Sequence, residues 1–401
     1  MLSLLPELAE RLGLHWGPLR LLDYVTVRAV GAAVTAFLLM LVVMPPLIRW
    51  LRRMKFGETG AKNQGAAVVD AMREAKKGTP TMGGLGLVAC IVVSAALWCD
   101  PANFRTWLLI AGTVAFAVVG YLDDRTKIFK GAKGTPLWVK LGIQVGAAVG
   151  CGIGLWLINE RLAGLLLPDS HPAGLPADSY RKTMADNVTY VVRLGVHQLQ
   201  FPLLPVEWAI DLGLWAVLWT AFVTTACANG VNFTDGLDGL AGGTVFIAAL
   251  AFMVIAYLVS RVDAADYLRV YYVSGGQDVA VYCAAIAGAC LGFLWFNGSP
   301  AEVFMGDTGS QALGGALGLI ALNTKQEFLI LLVGIIFVAE AGSVAIQIFT
   351  VRLCGGRRLF HCTPIHHHFQ HLGWPESKIV LRFWIIAALA ALAAIATLKV
   401  H

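Results

Sequence analysis

Charge is scarce in this chain. Asp, Glu, Lys and Arg make up 14% of its 401 residues, against 58% hydrophobic ones, and the mean hydropathy is +0.71. A soluble domain carries about a quarter charged residues, so this composition excludes one and indicates a polytopic membrane protein. The eight cysteines are scattered, mostly in apolar runs (Cys90, Cys151, Cys227, Cys283, Cys290). No CxxC occurs, so neither a disulfide framework nor a zinc site is indicated. The phosphate loop GxxxxGK[ST] and the zinc pattern HExxH are missing too. No internal repeat is visible. Pro6, Glu7, Glu10, Arg11 and Asp23 interrupt the first segment, so no cleavable signal peptide is expected. The net charge of +5 is modest, and no nucleic-acid partner is expected.

Long apolar runs fill the rest. Ten spans are expected, at 25–48, 82–99, 106–122, 137–158, 208–228, 240–259, 279–296, 311–323, 327–350 and 379–398. The fold class is therefore an all-α membrane protein of about ten transmembrane helices, one integral-membrane domain over 1–401 facing the lipid bilayer. Basic residues crowd three loops: Arg49, Arg52, Arg53, Lys55, Lys62, Arg73, Lys76 and Lys77; Arg125, Lys127, Lys130, Lys133 and Lys140; Arg352, Arg357, Arg358 and Lys378. The opposite loops hold few, such as Arg105, Arg261, Arg269 and Lys325. The positive-inside rule makes the basic side cytoplasmic. Both termini then lie outside, as does a polar insert at 159–207, in which a short amphipathic helix or a strand pair is expected.

All the chemistry-bearing motifs fall on that basic side. Residues 229–243 read NGVNFTDGLDGLAGG. Asp235 and Asp238 are three apart and share a face if they open the next helix; Asn229 and Asn232 repeat the spacing. Carboxylate oxygens at a membrane surface suit Mg²⁺ and a phosphorylated substrate, although an aspartate that only caps the helix at Leu240 is the plainer alternative. Asp123 and Asp124 end the third span. Neighbours diverge, so one is expected to accept a proton or orient a phosphate nucleophile while the other meets metal or lysine. Asp307, between glycines, is the best candidate Mg²⁺ ligand, with the Ser and Gly amides at the following helix start free to hold phosphate oxygens. His366, His367 and His368 cannot share one metal from one helix face; they read as hydrogen-bond donors to phosphate or sugar. Lys76, Lys77, Thr79 and Thr81 supply cations and hydroxyls before Gly83 and Gly84. Lys130, Lys133 and Lys140 suit a second phosphate or anionic headgroups. Glu340, mid-span, needs a buried partner, and Gly342 with Ser343 suggests a broken helix there. The small residues Gly314, Gly315 and Ala316 permit close helix contacts, including those of a homodimer. Acids for Mg²⁺ and cations for phosphates suit phosphoryl transfer.

At these residues the chain resembles the polyprenyl-phosphate N-acetylhexosamine-1-phosphate transferases. GTPTMGG at 78–84, Asp123-Asp124, NFTDGLDGL at 232–240, FMGDTGS at 304–310, TPIHHHF at 363–369 and GWPESKIVLRFWII at 373–386 are similar to that family's motifs, in order. The resemblance covers about 25–160 and 208–398. It implies a ten-span fold in the bacterial cytoplasmic membrane and a Mg²⁺-dependent reaction of UDP-MurNAc-pentapeptide with undecaprenyl phosphate, giving lipid I and UMP in peptidoglycan synthesis. It implies that Asp307 binds Mg²⁺ and that Asp123 serves as base or orients the lipid phosphate, with Asp124 beside it. Lys76, Thr81, Asn229, Asn232, Asp235, Asp238, Asn297 and Phe304 would line the nucleotide-sugar pocket. His366, His367 and His368 would touch the sugar or phosphates, and Lys140 a phosphate.

Two departures stand out. Gln370 stands where the family usually has Glu, the nearest acid being Glu376, and the outer insert is long for the family. A GlcNAc-1-phosphate transferase using UDP-GlcNAc shares the Asp motifs, so only 363–371 separates it. A transporter would place its acids near the midplane in matched repeats; here they cluster at one face, with Glu340 the lone central exception, and no repeat is visible.

Overall fold

The computed structural model describes residues 2–5, 17–54, 76, 78–130, 134–165, 198–201, 209–268, 270–353 and 355–398. Residues 6–16, Lys55, Lys62, Arg73, Lys77, Lys133, Arg269 and most of the expected insert lie outside these, as does the side chain of Lys130. The described elements are nearly all helix: α1 Val25–Arg53, α2 Gly84–Trp98, α3 Phe104–Lys130, α4 Leu137–Leu165, α5 Trp215–Thr234, α6 Leu240–Val259, α7 Val262–Leu268, α8 Gly276–Asn297, α9 Gly306–Asn323, α10 Leu329–Val333, α11 Ile335–Leu353, α12 Ile365–His371 and α13 Glu376–Thr397. The only sheet among the described residues pairs β1, Gln198–Leu199, with β2, Ile210–Asp211, antiparallel.

Seven helices (α1, α3, α4, α6, α8, α11 and α13) are long and apolar enough to cross a membrane, and α2 is a shorter apolar helix. Helices also stand at the other expected places, α5 and α9. These two carry the amides and carboxylates of the motifs within their length, which lowers their hydropathy. On α1, Ala32, Ala36, Met40, Met44 and Ile48 are buried at helical spacing, while Val30, Val34, Leu38 and Val42 point outward. A helix apolar on both faces fits lipid outside and protein inside. The centre belongs to α8 and α9; every residue of α9 from Thr308 to Asn323 is buried. α8 packs on α1 and α6, and α9 on α3 and α5. The small residues expected to serve close helix contacts do so within the chain: a Cβ added at Gly314 would lie 2.5 Å from Ala228 Cα, and one at Gly315 would lie 2.5 Å from the Phe116 ring.

Four expectations are corrected. Span three does not end at Asp123 and Asp124; α3 continues to Lys130, so both acids sit within a helix. Span five begins at Trp215, because residues 210–211 form the second strand. The fourth helix runs on to Leu165, into the expected insert. The ninth segment does break, but at Gly334, between α10 and α11, and not at Gly342 and Ser343. Ser343 instead stays helical, its hydroxyl donating to the Glu340 carbonyl at 2.7 Å.

Candidate active site

The motifs meet because they occupy one end of the bundle. Asp123 and Asp124 lie toward the end of α3 and Asn232 at the end of α5. Asn297 ends α8, while Lys140, Asp307 and Glu376 lie in the first turns of α4, α9 and α13. Backbone pairing ties the 78–84 stretch to the 304–310 stretch: Gly83 N–H donates to the Phe304 carbonyl and Gly84 N–H to Met305, both at 2.9 Å, and Phe304 N–H to Pro80 at 2.8 Å. A Cβ at Gly306, where φ is +74°, would lie 2.8 Å from Asp124 Oδ2 and 3.0 Å from Thr81 Oγ1. That glycine is needed both for its left-handed backbone and for its crowding.

Asp123 and Asp307 alternate with two lysines. Lys127 Nζ lies 2.9 Å from each carboxylate. Lys140 Nζ lies 3.0 Å from Asp123 and also pairs with Asp307. The Thr135 amide adds a bond to Asp123 at 2.9 Å. Asp124 points away from this square, as the divergence of helix neighbours requires. It accepts the amides of Asp307 at 3.0 Å and Thr308 at 2.9 Å, and the Thr308 hydroxyl at 2.7 Å. Asp124 therefore caps α9 from another helix, taking up the Asp307 and Thr308 amides. Asp235 and Asp238 do not share a helix face, because α5 ends at Thr234 and α6 starts at Leu240; both lie in the turn between. Partial burial, then the charges of Asp307 and Asp124, push the Asp235 carboxyl up to about 8.

A second cluster centres on Lys76. Its Nζ is 2.6 Å from both Asp238 and Glu376, and it lies 5.9 Å from the centre of the Phe304 ring. Burial works against its charge, but the two carboxylates outweigh that and raise its pKa. Glu376 also accepts the Asp238 amide at 2.6 Å, and Asp238 accepts the Ala301 amide at 3.1 Å. Asn297 accepts the Gly239 amide at 2.9 Å and donates to the Val303 carbonyl at 2.8 Å, so it holds the turn to the loop carrying Phe304.

The three histidines have separate partners. His366 Nδ1 faces Glu340 at 3.0 Å, and His367 Nδ1 faces Gln370 at 2.7 Å. His368 Nδ1 accepts the His361 amide at 3.2 Å, and the two rings stack. Partial burial, then the neighbouring His361 and His371, lower the His368 pKa. His367 and His371 stand four apart, a spacing that suits a metal, but His371 stacks on His361. Among the described residues no three His, Cys, Asp or Glu side chains form a metal group.

Two buried glutamines were invisible to motif reading. Gln144, one turn after Lys140, donates to Gln311 at 2.7 Å and to Asn229 at 3.2 Å. Asn232, one turn after Asn229, donates to Ser310 at 2.8 Å. The signal available was an amide side chain inside an apolar run, which must find a hydrogen-bond partner.

Residues 106–325 match the family model of glycosyl transferase family 4, so the chain belongs to that class of membrane transferases. Its relatives narrow the class. A phospho-N-acetylmuramoyl-pentapeptide-transferase of Solidesulfovibrio magneticus is 41% identical over 388 residues, 96% of this chain and 97% of that protein. One from Desulfotalea psychrophila is 39% identical over 94% of each chain, and one from Thermodesulfovibrio yellowstonii is 37% identical over 99% of this chain and 100% of that protein. The chain belongs to the phospho-N-acetylmuramoyl-pentapeptide-transferase family.

Proposed function

We propose that the chain transfers phospho-MurNAc-pentapeptide from UDP-MurNAc-pentapeptide to undecaprenyl phosphate, releasing UMP and forming lipid I for peptidoglycan. The reaction takes place at the cytoplasmic face of the bacterial inner membrane. The orientation rests on the basic loops, and the ten crossings on helices at ten expected places. One observation carries the chemistry: Lys127 and Lys140 each hold two carboxylates at one membrane face. A phosphate of a charged lipid or a nucleotide would meet the same two cations. In the reaction, an oxygen of the lipid phosphate attacks the sugar-linked phosphorus, and the bond to UMP breaks. Asp123 orients that phosphate through the lysines it shares. Lys76 and Phe304 face the base, and Asp238 with Asn297 shapes the turn beneath it.

Magnesium fits the donor set. Asp307 and Asp124 lie near enough to raise the Asp235 pKa, so carboxylates crowd where a cation would relieve their repulsion. Mg²⁺ commonly takes one or two carboxylates and completes its shell with water and substrate phosphates. Asp307 is the residue that would hold it. When bound, the ion supplies neutralisation of the charge gathering on UMP.

The test is a transferase assay on purified protein with undecaprenyl phosphate, Mg²⁺ and either UDP-MurNAc-pentapeptide or UDP-GlcNAc. UMP release with the muramoyl donor alone, lost on chelation, is expected. Release with UDP-GlcNAc alone would move the chain to the sister activity.

A further inference from the structure

Glu340 is completely buried in α11. Its Oε2 lies 3.0 Å from His366 Nδ1 and 3.5 Å from the His366 amide nitrogen. His366 is itself 1% exposed. Its other ring nitrogen, Nε2, is buried with no hydrogen-bond partner, and a methyl group at Gly236 would collide with it. The imidazole is thus clamped. One nitrogen meets an intramembrane carboxylate, and the other meets the turn that carries Asp235 and Asp238.

The charge of this pair decides what Nε2 can do. A buried carboxylate without a balancing charge is costly in a membrane protein. The Glu340–His366 pair is net neutral in three arrangements. In one, the proton rests on Glu340 Oε2 and is donated to Nδ1. In another, both ring nitrogens carry hydrogen and the cationic ring faces the carboxylate. Both place a hydrogen on Nε2. In the third, the proton rests on Oε1 and the ring donates from Nδ1 to Oε2, which leaves Nε2 bare; but Oε1 is buried with no partner, so that hydroxyl would have no acceptor, whereas a hydrogen on Nε2 points at the 235–239 turn. The net-negative arrangement also leaves Nε2 bare, and it would bury an unmatched charge near further aspartates. We infer that Glu340 is a positioning residue that fixes His366 with its hydrogen on Nε2, so that the imidazole donates to an anionic oxygen of the nucleotide-sugar substrate at the 235–239 turn. The inference rests on the proposed transferase reaction, yet the state of the ring is measurable without it.

The experiment uses the full chain in lipid nanodiscs with ¹⁵N-labelled histidine. The His366 ring signals are assigned by their loss in His366→Gln. In the wild type, Nε2 is expected to show the signal of a hydrogen-bearing nitrogen. In Glu340→Gln, the amide can satisfy either tautomer of a neutral ring, so the Nε2 signal should move toward a mixture. Turnover should fall about 100-fold, the scale of losing one oriented donor, with the KM for undecaprenyl phosphate little changed. Glu340→Asp should retain more turnover than Glu340→Gln. A bare Nε2 in the wild type overturns the inference, and needs no variant to fold. So does a Glu340→Gln protein with wild-type turnover and an unmoved Nε2 signal. Absence of UMP release from the wild type with the muramoyl donor, alongside a hydrogen-bearing Nε2, would refute the proposed reaction and leave the Glu340–His366 arrangement standing.

Discussion

Asp124→Asn separates scaffold from chemistry. The Asp124 carboxylate receives three hydrogen bonds from the start of α9: one on Oδ1, from the Asp307 amide, and two on Oδ2, from Thr308. Asparagine keeps the shape but offers one oxygen. That oxygen serves Thr308 best, which leaves the Asp307 amide facing an NH₂ group. A hydrogen bond to a charged group contributes about 1.5–3 kcal/mol, and a buried donor left without an acceptor costs about 1–3 kcal/mol. Loss of one bond and of the charge behind the others should destabilise the protein by roughly 2–4 kcal/mol. For a large domain that lowers Tm by several degrees, at about 2–4 °C per kcal/mol. Tryptophan fluorescence during heating in detergent would read it, with turnover measured in parallel. Turnover should fall as well, because Asp307 stands on the turn that Asp124 pins. An unchanged Tm with turnover abolished would refute the capping role and make Asp124 a purely chemical residue.

Gly120→Ala tests the same joint from the other side. Its Cβ would lie 2.6 Å from Thr308 Cα, where ordinary contact begins at 3.4 Å, and would also strike the Asp307 backbone. It would come closest to the Asp307 carbonyl oxygen, so the α3–α9 contact must open by more than an ångström, and a loss of about 1–3 kcal/mol and of about 100-fold in turnover is expected; wild-type values for both would show that the joint tolerates the shift. Asp235 should tie stability to pH. Its folded pKa of about 8 exceeds its ordinary 3.8, so the folded protein keeps a proton that the unfolded chain releases. Its contribution to stability therefore falls as pH rises through that interval. Asp235→Asn should flatten part of the decline in Tm, and identical slopes would refute it. Asp307→Asn should abolish turnover with Tm nearly kept, whereas near-normal Mg²⁺-dependent activity would remove Asp307 from the metal role.

Much of the site was legible because its logic is local. Asp123 and Asp124 had to diverge, and they do: one joins the lysine square and the other caps α9. The helices were legible where apolar residues run long, and α9 was readable in spite of its small residues because they let it occupy the centre. What the sequence hides is whatever depends on how far a helix extends past the apolar run. The polar stretch from Asp123 to Lys130 reads as a loop, yet it continues α3 and so brings Lys127 one turn beyond Asp123, onto the same face. Asp235 and Asp238 show the reverse. Their spacing suggests a helical face, but the glycines around them make a turn.

Glu340 marks the boundary between the two kinds of knowledge. That an intramembrane carboxylate requires a partner follows from the cost of burying charge, and needs no structure. Which partner it takes does not follow. His366 is 26 positions away, across the loop between α11 and α12, and nothing in its spacing separates it from His367 or His368. The answer lies in the small size of Gly236. Its missing side chain leaves room for the imidazole to lie between α11 and the 235–239 turn, so a glycine in one motif selects which histidine of another is buried against the acid.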